Sequence, residues 1–156
     1  MSSNISTPES GPPVITVNTL TTTPIKFDIT AFISQVLHIK NITSGVFEFS
    51  FIDNPLITQL HNQYLNSNSP TDVITFNLGS QAHPICDIYI SVEQAQLNAK
   101  EFHTTCTNEI KLLIIHGILH ILGYDDNNSH NQSIMEHEQN QILESLNTHH
   151  HEHPSH

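Results

Sequence analysis

The chain has 156 residues, two cysteines, four lysines, no arginine and a formal net charge of −11. That length suits one domain with a sizeable core, and no apolar run is long enough for a membrane span or a secretory signal. So little positive charge argues against a free-standing protein that grips nucleic acid through a basic surface. Cys86 and Cys106 fit a reduced, cytoplasmic chain that needs no bridge.

Residues 1–12 are rich in Ser, Thr and Pro and read as a disordered N-terminal segment. Val14 to Val17 predicts a short strand. Asp28 caps a helix running to about His38, with Phe32, Val36 and Leu37 toward the core. From Gly45 to Ile52, Phe47, Phe49 and Phe51 alternate with Val46, Glu48 and Ser50, and this period of two predicts a strand with its phenylalanine face buried. Asn54 caps a second helix with Pro55 in its first turn, where a missing N–H is tolerated. That helix carries Leu56, Ile57, Leu60 and Tyr64, and residues 66–70 form a polar loop.

Thr71 to Phe76 is the third strand, Gly79 and Pro84 mark a loop, and Ile85 to Val92 is the fourth strand. A helix follows from Glu93 to about Phe102. The next starts near Thr107, its expected cap, with Glu109 favourable in the first turn. Ser129 or Asn131 opens a last helix that ends near Leu146. The order β-α-β-α-β-β-α-α-α predicts an α+β domain over residues 13–147. Intervening helices argue for parallel strands, and the direct link from third to fourth strand argues for one antiparallel pair. The expected result is a mixed four-stranded sheet carrying helices. Residues 148–156, THHHEHPSH, read as a disordered, solvated, histidine-rich tail.

The stretch EIKLLIIHGILHILGYDD, Glu109 to Asp126, predicts a central buried helix, because from Leu112 to Leu122 only Gly117 and two histidines interrupt the apolar residues. His116 and His120 lie four apart and share one helix face. Buried imidazoles need partners, and one metal ion satisfies both; the competing reading is a pair of core histidines. Gly123 stops the helix in a left-handed turn that brings Asp126 back toward the histidines. Three protein ligands, His116, His120 and Asp126, with one open position make the pattern of a catalytic zinc site rather than a structural one. His130 is the rival third ligand and would need a longer excursion. An ion with an open position lowers the pKa of water and suits phosphodiester hydrolysis near neutral pH. Asp125 is assigned a hydrogen bond within the turn, and no general base is identified. Zinc metalloproteases share the spacing but use a glutamate after the first histidine; here Gly117 takes that place.

HGILHILGYDD, residues 116–126, resembles the H-G-x-L-H-L-x-G-Y-D-H signature of the YbeY family of bacterial metal-dependent endoribonucleases. SPTDVITF at 69–76 is similar to the family's P-T-D-V-L-S-F, CDIYIS at 86–91 to its G-D-I-x-I-S, and IMEHEQNQIL at 134–143 to its final helix. The resemblance implies an endoribonuclease that cuts single-stranded ribosomal RNA near the small-subunit 3′ end, in maturation and ribosome quality control. It also implies small-subunit ribosomal proteins as partners; one zinc ion per chain, with another divalent metal as the alternative, and a cytoplasmic monomer are the accompanying expectations. Two positions depart from the family. Its third ligand is histidine where this chain has Asp126, and Leu65 stands where the family places an arginine. An apolar side chain makes no bidentate phosphate contact, which weakens the expected cleavage. Asp72 of the T-D-V motif reads equally as a functional residue and as a structural one bonding backbone. The alternative functions are a ribosome-assembly binding protein with a structural metal and a zinc metalloprotease.

Overall fold

A computed structural model describes residues 11–65 and 72–151, with the backbone alone at 61–65 and 148–151. The expectations for residues 1–10, for the loop at 66–70, for Thr71 and for 152–156 lie outside the described residues, as does the side chain of Leu65. The described elements are β1 (Val14–Thr19), α1 (Ile29–Ile39), β2 (Val46–Ile52), α2 (Asn54–Leu65), β3 (Val73–Asn77), β4 (Ile85–Ser91), α3 (Val92–Phe102), α4 (Cys106–Ile121) and α5 (Ser129–His151). Their order is the one expected.

The sheet order is β1-β2-β4-β3, with β1–β2 and β2–β4 parallel and β3–β4 antiparallel. The α+β class and the mixed four-stranded sheet are thus as read from the sequence. The β3–β4 connection is tight. The Asn77 side-chain oxygen accepts from the N–H groups of Gly79 and Ile85 at 2.9 and 3.2 Å. A Cβ at Gly79 would collide with the His83 carbonyl oxygen, so only glycine fits.

Alternation along β2 divides the sheet into two unequal faces. Phe47, Phe49 and Phe51 point to one side and are fully buried. They meet Ile88 and Ile90 of β4 and the apolar faces of α1, α3, α4 and α5 in the main core. The other side holds a smaller cluster, Ile52, Ile57 and Ile74, where α2 covers part of the sheet. Among the described residues no helix is long and apolar enough to cross a membrane.

Several boundaries differ from the expected ones, each for a local reason. Thr105, not Thr107, caps α4: its backbone is extended and its side chain accepts from the Asn108 N–H at 3.0 Å. Ser91 ends β4 one residue early because its hydroxyl caps α3 through the Gln94 N–H. Asn54 does not cap α2 but opens it. Its N–H donates to the Glu93 carboxylate at 2.6 Å, and its side-chain oxygen accepts the Ser91 hydroxyl. α5 opens at Ser129, one of its two expected starts, and Asn128 before it accepts from the Asn131 N–H at 2.9 Å. The last helix continues to His151 instead of ending near Leu146. No glycine or proline interrupts that stretch before Pro154. Asp28 caps α1 as expected, its carboxylate accepting from the Ala31 N–H at 3.1 Å.

Candidate metal centre

The site forms where α4 ends and α5 crosses it. Ile110, Ile114 and Ile118 are buried to 1% exposure or less and fix α4 in the core. Gly117 lies against the sheet: a Cβ there would sit 3.1 Å from Ile88 Cγ2 and 3.4 Å from Thr75 Cγ2. Packing that close holds the helix at one rotation and sends His116 and His120 away from the sheet, toward α5. Gly123 then adopts φ +99, a conformation costly for any other residue. The Gly123 N–H bonds the His120 carbonyl at 3.0 Å and the Tyr124 N–H bonds that of Leu119 at 3.1 Å. This is the Schellman ending of a helix, and it turns the chain back over the histidines. Beyond it, Asp125 accepts from the Asn127 N–H within the turn at 3.5 Å, as expected of it, and from Asn131 Nδ2 of α5 at 2.7 Å. Lys40 clasps the whole junction: its Nζ lies 2.6 Å from Glu138 of α5 and 5.4 Å from the centre of the Tyr124 ring.

The turn brings the three expected ligand residues together. His116 Nε2 and His120 Nε2 are 3.0 Å apart, and His116 Nε2 is 3.7 Å from Asp126 Oδ2. The three candidate ligand atoms lie within 4.8 Å of one another. A tetrahedral ion with bonds near 2.0–2.1 Å separates its ligand atoms by about 3.3 Å, so small side-chain adjustments suffice. The donor set, two imidazoles and a carboxylate, is chemically that of a divalent transition-metal site. Burial pushes the His120 pKa below its ordinary 6.5 and the neighbouring His116 adds to this, with Asp126 and Asp125 pulling the other way. A depressed pKa keeps the ring neutral, the form that ligates.

The histidines are half-buried rather than fully buried, and the Asp126 side chain is 47% exposed. One side of the group therefore opens on a cavity of about 300 Å³, lined by His116, Asp126, Gln132, Met135, Glu136 and Gln139. The four α5 residues were not singled out from the sequence. They recur at i, i+3, i+4 and i+7, a helix-face spacing, but their mixed polarity resembles a solvated face. Gln139 Oε1 lies 2.5 Å from His116 Nδ1. His130 is exposed at the start of α5 and is not part of the three-residue group. Asp72 is also outside it, and its carbonyl accepts the Ser91 N–H at 2.9 Å to fasten β3 to β4.

Known proteins agree with this architecture. The family model described as Endoribonuclease YbeY matches residues 16–147. Endoribonuclease YbeY of Flavobacterium psychrophilum is 34% identical over 114 residues, 72% of this chain and 80% of that protein. The protein of the same name from Treponema denticola is 34% identical over 125 residues, 74% of this chain and 81% of the relative. A Thermotoga maritima protein solved in solution shares the fold with a TM-score of 0.55 at 24% identity, over 88% of this chain and 93% of that one. The chain therefore belongs to the endoribonuclease YbeY family.

Proposed function

We propose that the protein is a metal-dependent endoribonuclease that cuts single-stranded ribosomal RNA, acting near the small-subunit RNA 3′ end in maturation and in ribosome quality control. In this reading it works in the cytoplasm as a monomer, beside small-subunit ribosomal proteins. His116, His120 and Asp126 hold one zinc ion per chain. The observation that carries the reading is the convergence of two imidazole nitrogens and a carboxylate at the mouth of a cavity. An ion bound there supplies Lewis acidity toward a phosphate oxygen and lowers the pKa of water. The chain's own residues do the rest. Asp126 provides the one negative charge among the three ligands, the Gly123 turn holds it in place, and the exposed side of the group admits a phosphodiester.

Gly117 counts against the protease alternative. It stands where that chemistry places a glutamate base, and its missing Cβ faces Ile88 and Thr75 of the sheet, so a longer side chain would collide there. The test is cleavage of a single-stranded RNA from the small-subunit 3′ end by zinc-loaded protein. We expect endonucleolytic products that disappear in His116→Ala and after chelation. Intact RNA with fully metal-loaded protein, alone and with small-subunit ribosomal proteins added, would favour an assembly role instead.

A further inference from the structure

We propose that Gln139 is a positioning residue for the metal centre, one that sets the tautomer of His116; this rests on the reading of His116, His120 and Asp126 as ligands. A neutral imidazole carries one N–H and one lone pair, and the partner of one nitrogen decides the state of the other. His116 Nδ1 lies 2.5 Å from Gln139 Oε1, an atom that only accepts. The proton therefore sits on Nδ1 and is donated to Gln139. Nε2 is left with its lone pair, facing His120 Nε2 at 3.0 Å and Asp126 Oδ2 at 3.7 Å. In the opposite tautomer an N–H would point at the place where the three ligands converge, and the ring could not ligate.

Gln139 is held firmly enough to do this. Met135, one turn earlier on the same face of α5, is 1% exposed and anchors that face in the core. Glu138, the preceding residue, is tied to Lys40 at the end of α1 at 2.6 Å. Together they fix both the depth and the rotation of α5 at this point. Histidine ligands commonly lean on a carboxylate that also adds negative charge. An amide orients the ring without that charge, so Asp126 remains the one anionic group among the three ligands, and a bound ion keeps more of its Lewis acidity.

The test reads the tautomer directly. Long-range ¹⁵N–¹H correlation spectra of the histidine rings are recorded on the full-length protein above the imidazole titration range, without metal and with zinc. The His116 signals are assigned by their loss in His116→Ala. We expect the Nδ1–H tautomer in the metal-free wild type and in Gln139→Glu, which can only accept at that position. In Gln139→Leu the tautomer should be mixed or reversed, and zinc affinity by chelator competition should fall about 10- to 100-fold, the usual range for an outer partner of a ligand. A wild-type His116 protonated on Nε2 overturns the proposal, as does an unchanged tautomer or unchanged zinc affinity in Gln139→Leu. If Gln139→Leu does not fold, the wild-type and Gln139→Glu spectra still decide the tautomer. A Gln139-dependent Nδ1–H tautomer in a protein that binds no zinc would sink the metal reading and leave this assignment standing.

Discussion

The two ends of α4 handle buried polarity in opposite ways. At the N-terminal end Glu109 is 7% exposed, and its carboxylate accepts the Thr104 hydroxyl at 2.5 Å. Thr105 caps the same turn. The Glu109 carboxylate and the Thr105 hydroxyl thus each have a partner inside the protein. At the C-terminal end His116 and His120 turn their Nε2 atoms toward each other and toward Asp126. Three atoms that prefer to face a cation meet at one point, beside a cavity. The contrast separates a structural buried acid from a candidate functional cluster without reference to any motif. What distinguishes them is whether the hydrogen-bonding capacity is closed internally or left converging.

The contrast breaks most completely if the converging end is removed. His116→Ala with His120→Ala should take tightly bound zinc from one ion per chain to none, after dialysis against a mild chelator clears the histidine tail. The stabilisation by zinc, read as a rise in Tm, should vanish with it. Metal retained by the double variant would mean that the cluster is not the site. A smaller effect is expected at the closed end. Glu109→Ala leaves the Thr104 hydroxyl without its acceptor and should cost about 1–3 kcal/mol in denaturant unfolding, with zinc stoichiometry unchanged. Loss of zinc there would mean that the two ends are not independent.

The smallest effect concerns pH and sharpens the same division. The His120 pKa is depressed below 6.5 in the folded state, mainly by burial. Between its folded value and 6.5 the unfolded chain binds more protons, so the metal-free protein should lose stability as pH falls below 6.5. Above 6.5 that contribution is fully present. His120→Gln should flatten this part of the stability-versus-pH curve measured by chemical denaturation; an unchanged slope would place the titration elsewhere.

Much of this architecture is legible in the residues because it depends on local periodicity. Phe47, Phe49 and Phe51 announce a half-buried strand by alternation, and the i, i+4 spacing of His116 and His120 needs only a helix. Gly123 marks the turn because few other residues adopt its φ of +99. What stayed hidden depends on contacts between distant elements. Gln139 looks like any surface glutamine until α5 is laid across α4, 23 positions away in sequence. Asn54 has the residue type of a cap, yet the acceptor that its turn uses is Glu93, 39 positions on. The place of β4 between β2 and β3 likewise follows from pairing, not from any pattern within one strand.

That arrangement at Asn54 has a kinetic side. α2 lies on the sheet face opposite the main core, over Ile52 and Ile74, and its first turn is completed by Ser91 and Glu93 at the start of α3. A helix of this length is marginal by itself in water. It therefore gains its first-turn partners only after β4 has joined the sheet and α3 has begun. Hydrogen exchange should find α2 as a late-forming, early-opening unit. Its amides should exchange through a partial opening that leaves the protection of α4, and hence the histidine pair, intact.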